Sequence, residues 1–226
     1  MKKLVLAATL CAATSATFAE SQPGFSAELL FGTADQESDF TDLGGEIDGD
    51  DTSVGLRGAY QFNKNFAIEL AYKQHGTIDE SESYSDSFDW MGEGVVDYTE
   101  TYKTEIETKS IDLGFKGMIP LNDSFSLIGR VGITQWDYEL TAKYSYFERY
   151  TDYTDSSFNG TYSESISDSE DDSGTDFYYG IGIQYEFNEH IFAGFEYTIT
   201  QFDASIGSLE VDQTIKNMSL SLGYKF

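Results

Sequence analysis

From residue 25 onward, apolar side chains recur at every second position through eight runs of about ten residues. Successive side chains of a strand point to opposite faces, so each run has one apolar face. The sets include Phe25, Ala27, Leu29 and Phe31 in the first run and Ile111, Leu113, Phe115, Gly117 and Ile119 in the fourth. The last run contributes Met218, Leu220, Leu222, Tyr224 and Phe226. Across all eight runs none of these positions is charged, in a chain whose charged fraction is 23%. An Arg or Lys facing lipid near the bilayer midplane costs about 2–4 kcal/mol, so a charge-free face is what lipid exposure demands. No window after residue 19 approaches the roughly 18 apolar residues of a membrane helix. A chain of this kind crosses a membrane as strands, and strands are viable there only as a closed antiparallel barrel.

The alternate positions carry the opposite chemistry. Glu28, Arg57, Glu69, Lys73, Asp112, Lys116, Arg130 and Glu196 share inward parity, with Glu186 and Lys225 further along and glycines between. A water-soluble sandwich would rarely hold so many ionic groups on its inner face. Their mixed signs predict a lumen filled by ion pairs.

Three short connections, Asn63-Lys64-Asn65, Asn122-Asp123-Ser124 and Asn188-Glu189-His190, each begin with asparagine. Its side chain bonds to turn backbone and it tolerates left-handed geometry. They alternate with long segments, which predicts short periplasmic turns and long extracellular loops. Pro120, one of two prolines, stands at a strand end, where a missing N–H matters least. The apolar parity switches at Trp136, Tyr138 and Leu140, and again at Ile215, and a β-bulge is expected at each place.

The N-terminus has Lys2 and Lys3, an apolar stretch from Leu4 to Ala13, and Thr17-Phe18-Ala19. This is the layout of a secretory signal peptide, too short to anchor, so residues 1–19 are read as a signal and 20–226 as one barrel domain. The single cysteine, Cys11, falls inside that signal and is read as apolar filler, leaving no disulfide in the mature chain. With 13 basic and 40 acidic residues the net charge is −27, which repels nucleic acid and excludes it as a partner.

Tyr60-Gln61-Phe62-Asn63, Tyr185-Glu186-Phe187-Asn188, the inward ionic residues and the ending Leu222-Gly223-Tyr224-Lys225-Phe226 resemble the small eight-stranded outer-membrane barrels typified by the OmpA transmembrane domain, OmpX and Ail. The resemblance implies a multi-pass barrel in the bacterial outer membrane, in contact with its lipid and lipopolysaccharide. It also implies that Tyr224 and Phe226 form the signal read by the outer-membrane assembly machinery. No peptidoglycan-binding domain is expected after Phe226. The family's roles span adhesion, surface defence and envelope integrity, with enzymes in related barrels, and fold does not choose among them.

Residues 33–51, 76–109, 137–176 and 202–214, read as loops, hold 32 of the 40 acids and four of the 13 bases. One reading is a solvated, repulsive cell surface. Another is weak binding of calcium or magnesium, with Asp168, Glu170, Asp171, Asp172 and Asp176 as the densest group, although no EF-hand spacing is present and no firm metal site or other cofactor is expected. The third loop interleaves Tyr144, Tyr146, Phe147, Tyr150, Tyr153, Phe158 and Tyr162 with acids. These suit either recognition of an extracellular protein or glycan or a β-rich tip extending the strands. Catalytic residues are not expected: His190 falls in a periplasmic turn, and His75 is the one residue on which a lipid-acting enzyme could be built. A non-enzymatic envelope or adhesion protein is the principal expectation, and a narrow porin-like channel the alternative, although an eight-stranded lumen is about wide enough only for its own side chains.

Overall fold

The computed structural model describes residues 23–41, 44–207 and 209–226, and the segment read as a signal peptide lies outside them. Eight strands follow in order: β1 Gly24–Phe40, β2 Gly45–Asn63, β3 Phe66–Trp90, β4 Gly94–Pro120, β5 Phe125–Asp152, β6 Gly160–Glu186, β7 Ile191–Ile206 and β8 Leu209–Lys225. Each is antiparallel to the next, and β8 returns to β1, from Ser26 opposite Lys225 to Phe40 opposite Val211, closing the ring. Among the described residues the only helical element is one 3₁₀ turn, Ser156–Phe158.

The three asparagine turns share one geometry. Asn63 Oδ1 accepts from the backbone N–H of Asn65 at 2.8 Å and of Phe66 at 3.1 Å. Asn122 does the same for Ser124 and Phe125, both at 2.9 Å, and Asn188 for His190 and Ile191, both at 2.9 Å. One side chain thus satisfies the two donors that the reversal exposes. Aromatic rings gather beside these turns, with Phe25–Tyr60 centroids 4.8 Å apart and Phe125–Tyr185 at 4.7 Å, an interfacial girdle on the periplasmic side.

A tilted strand crosses the bilayer in about 9–11 residues, whereas these strands run from 16 residues in β7 to 28 in β5. The segments read as loops are therefore mostly strand. The β2–β3 ladder extends outward only as far as Val54 opposite Gln74, and the β6–β7 ladder only to Tyr178 opposite Thr200. Beyond those two seams the ring parts into two four-stranded sheets, β7-β8-β1-β2 and β3-β4-β5-β6, joined at their base by the barrel. Trp136, Tyr138, Phe202, Ile106, Ile78, Val211 and Ile215 are buried between them as a hydrophobic cap over the lumen. Trp136 stacks on Phe202 at 4.3 Å and donates from Nε1 to Asp176 Oδ2 at 2.9 Å.

This cap corrects the two expected bulges. Pairing runs without interruption through Trp136–Leu140 and through Ile215. Alternation is preserved, and what changes is the medium: outside the membrane the outer face meets water, so polar residues move to it and apolar residues turn inward. The register does shift between Gln74 and Thr77, where Gly76 has φ 80° and Asp51 Oδ2 accepts the Thr77 N–H at 2.8 Å. Only glycine takes that backbone conformation at little cost.

Candidate functional site

The lumen is built in layers from the periplasmic end. Phe192 is buried opposite Gly223, whose missing Cβ leaves room for the ring. The ammonium groups of Lys116 and Lys225 lie 5.5 and 5.6 Å from its centroid. Above it six charged groups from β1, β2, β3, β4, β5 and β7 converge. Arg57 reaches Glu28 at 3.1 Å and Glu196 at 2.6 Å, while Arg130 reaches Glu69 at 2.8 Å and Glu196 at 2.6 Å. Lys116 completes the set, 3.6 Å from Glu28 and 3.8 Å from Glu69. Lys116 and Arg130 stand directly opposite each other across β4 and β5, a repulsive placement that the three glutamates offset.

The remaining two of the eight inward residues pair one level higher, Lys73 with Asp112 at 2.9 Å, and Thr134 Oγ1 donates to Asp112 at 2.7 Å. Gly114 and Gly132 face inward there and make space for the ring of Tyr178, over which Lys73 Nζ sits at 5.5 Å. His75 lies above, 3% exposed, with Nε2 3.1 Å from Ser110 Oγ and Nδ1 3.3 Å from Asn217 Nδ2. Its ring faces neither bilayer nor external water. His190 hydrogen-bonds through Nδ1 to the Lys225 carbonyl at 3.1 Å and stacks on Tyr224 in a periplasmic turn.

The second candidate is the outer part of the β3–β6 sheet, which continues past the ends of β1, β2, β7 and β8. Strand pairing sorts its side chains into rows. On the face continuous with the barrel interior, one row reads Glu82, Tyr102, Tyr144, Ile166, and the next Tyr84, Glu100, Tyr146, Glu164. A third reads Asp86, Tyr98, Glu148, Tyr162. Tyrosine and carboxylate alternate across the second and third rows, while Tyr102 and Tyr144 stand side by side in the first. Tyr146 donates to Glu148 at 2.6 Å, Tyr84 to Asp86 at 3.2 Å and Tyr162 to Glu164 at 3.1 Å. The hydrogen bond to Glu148 pushes the Tyr146 hydroxyl up to about 12, so the ring stays neutral at physiological pH. At the tip, Phe88, Trp90, Tyr150 and Phe158 line a cleft of about 620 Å³ with Glu148 and Asp152 at its edge.

The opposite face is hydroxyl-rich: Ser83 bonds to Thr101 at 2.9 Å and Ser85 to Thr99 at 2.8 Å. The basic residues of these strands beyond the barrel, Lys103, Lys109, Lys143 and Arg149, all share that parity and all pair with acids there, as Lys103 does with Asp79 at 3.2 Å and Arg149 with Asp97 at 2.7 Å. The tyrosine face has a signal in the sequence. In the strands of this sheet Tyr-x-Asp or Tyr-x-Glu occurs at 84–86, 98–100, 146–148, 150–152 and 162–164, a spacing of two that puts ring and carboxylate on one side of a strand.

The acids proposed for weak cation binding do not converge. Asp168, Glu170, Asp172 and Asp176 are strung along one face of β6 with Asp171 on the other, and Asp172 accepts the Ser205 N–H at 2.7 Å. Among the described residues no three His, Cys, Asp or Glu side chains gather to hold a metal.

A closed ring of eight antiparallel strands with an apolar outer belt, aromatic girdles and an ion-paired interior defines an outer-membrane β-barrel. The chain belongs to the outer membrane protein beta-barrel domain family, whose model matches residues 4–226, and it resides in the outer membrane. No relative among curated proteins matches the sequence. Among solved structures, Neisserial surface protein A is similar over 91% of this chain and 100% of its own, with 10% identity and a TM-score of 0.51. Ail of Yersinia pestis, in complex with the heparin analogue sucrose octasulfate, is 17% identical over 90% of this chain and 99% of its own, with a TM-score of 0.41. The outer-membrane protease OmpT of Escherichia coli is 12% identical over 93% and 99%, with a TM-score of 0.46. At 10% identity the likeness to Neisserial surface protein A is one of fold, and fold alone does not assign a role.

Proposed function

We propose that this chain is a non-enzymatic surface protein, in which a closed barrel serves as a pedestal and the projecting β3–β6 blade contacts extracellular macromolecules. The observation that carries this reading is the blade itself: four strands reaching well past the rest of the barrel, with one aromatic face on which Tyr84, Tyr102 and Tyr162 are exposed. The interlocked lumen supports a closed barrel over a narrow channel, because three cations and three carboxylates fill its cross-section. The His75 ring, 3% exposed and held by Ser110 and Asn217, supports a non-enzymatic role. The belt of Phe25, Leu29, Leu70 and Leu220 suits contact with outer-membrane lipid, and the exposed Phe226, whose N–H donates to the Phe25 carbonyl at 2.9 Å, is available to assembly factors. Acidic glycans and phosphate-rich head groups are disfavoured at the blade by its charge.

The test has two parts. The purified protein in planar bilayers should give no steady conductance, whereas regular single-channel steps would establish the channel alternative. Cells displaying the wild type should adhere to protein-coated surfaces, and cells displaying a chain with residues 80–104 and 141–169 replaced by short turns should not. Equal adhesion would remove the recognition role.

A further inference from the structure

The tyrosine face meets water, and exposed aromatic area of this extent on a soluble surface marks a contact site. Tyr84, Tyr102 and Tyr162 are each 54% exposed, and they lie eight or more residues beyond Tyr72 and Phe177 at the outer membrane boundary. The sheet β7-β8-β1-β2 ends at Phe40 and Ile206, so it covers the inner face only as far as the hydrophobic cap. Beyond that level the face bears carboxylates from all four strands and no basic residue, because the bases are segregated to the reverse side and paired there. The occupant that matches such a face supplies the missing charge and lies flat on aromatic rings. A guanidinium does both, since it forks onto a carboxylate and stacks on a neighbouring ring, whereas an ammonium supplies only a point charge. Rings stand beside carboxylates in the second and third rows, as around Tyr146, which pairs across the sheet with Glu100 and Glu164 and hydrogen-bonds Glu148 along its own strand. A second copy of the same face would oppose like charges and is excluded as occupant.

We propose that this face of the β3–β6 blade is a docking surface for an arginine-rich segment of an extracellular protein. The inference rests on the recognition role proposed above and specifies its ligand chemistry.

Fluorescence anisotropy with the full chain in lipid nanodiscs, at physiological salt, tests it with two labelled probes, dodeca-arginine and dodeca-lysine. The arginine peptide should bind at least about fivefold more tightly than the lysine peptide. The triple variant Tyr102→Ser, Tyr144→Ser and Tyr146→Ser keeps every charge. It should lose about tenfold in affinity for dodeca-arginine and less than about twofold for dodeca-lysine. The triple Tyr→Phe variant at the same positions retains the ring faces and should keep the arginine preference, which guards against a Ser variant that merely fails to fold. On the reverse face, Thr99→Ala with Ser145→Ala should change neither. Equal affinity of the two peptides for the wild type, or loss of the arginine preference in the Phe variant, would overturn the proposal in favour of diffuse charge attraction. These outcomes are separable from the adhesion test. Adhesion that needs the blade with no arginine preference defeats this inference alone, and arginine-selective binding with unaltered adhesion defeats the recognition role alone.

Discussion

Replacing Arg130 by Met removes one of three cations from a fully buried network. Glu196 retains Arg57 at 2.6 Å, but Glu69 loses its 2.8 Å partner and keeps only Arg57 at 3.9 Å and Lys116 at 3.8 Å. Two cations then face three carboxylates in a space where every participating side chain is 5% exposed or less. Breaking a buried pair by removing one partner costs about 3–5 kcal/mol, mostly the penalty on the charge left behind. The variant Arg130→Met should lose that much stability. Adding Glu69→Gln restores the balance at two cations and two carboxylates and should recover about half of the loss, a coupling on the order of 2 kcal/mol. Lys225 and Glu186, 25% and 33% exposed at the barrel rim, provide the contrast, since Lys225→Met should cost only about 0.2–1 kcal/mol. Equilibrium urea unfolding in lipid vesicles reads all three. If Arg130→Met lies within about 1 kcal/mol of wild type, or if the two lumen substitutions simply add, the lumen is hydrated and the ion pairs do not act as one network.

Trp136→Ala should cost about 3–5 kcal/mol by emptying the cap and freeing Asp176, seen as faster hydrogen exchange in residues 34–40 and 202–215 than in the barrel walls. Asn122→Ala deletes both bonds of a periplasmic turn and should lower stability by about 1–2 kcal/mol while leaving the extracellular blade unchanged, as urea unfolding and blade hydrogen exchange will show. At the β5–β6 tip, backbone N–H bonds from Asp155 and Thr154 lower the Asp152 carboxyl to about 2. Its folded value is depressed, so its contribution to turn order is present above the ordinary carboxylate range and is lost as pH falls through about 2. The amide resonances of Thr154 and Asp155 should therefore persist at pH 3, and collapse near pH 4 would contradict the turn geometry.

The amino-acid sequence by itself determined the class of this protein. Alternation with a charge-free face can be satisfied only between lipid and an enclosed interior, and each Asn turn is a local device needing no distant partner. It also placed Glu28, Arg57, Glu69, Lys73, Asp112, Lys116, Arg130 and Glu196 on one face, because parity is a property of the strand. Which of them meet was decided by the ring: Arg130 on β5 and Glu196 on β7 are neighbours only because closure brings six strands around one axis. The inward turn of Trp136 and Ile215 resembles bulging in the sequence because a change of solvent along an unbroken strand leaves the same hydropathy trace as a change of register. The tyrosine face was hidden for a related reason. Acids and aromatics spread over four strands resemble a solvated loop until pairing aligns Glu82, Tyr102, Tyr144 and Ile166 in one row, and pairing between distant segments is a tertiary fact.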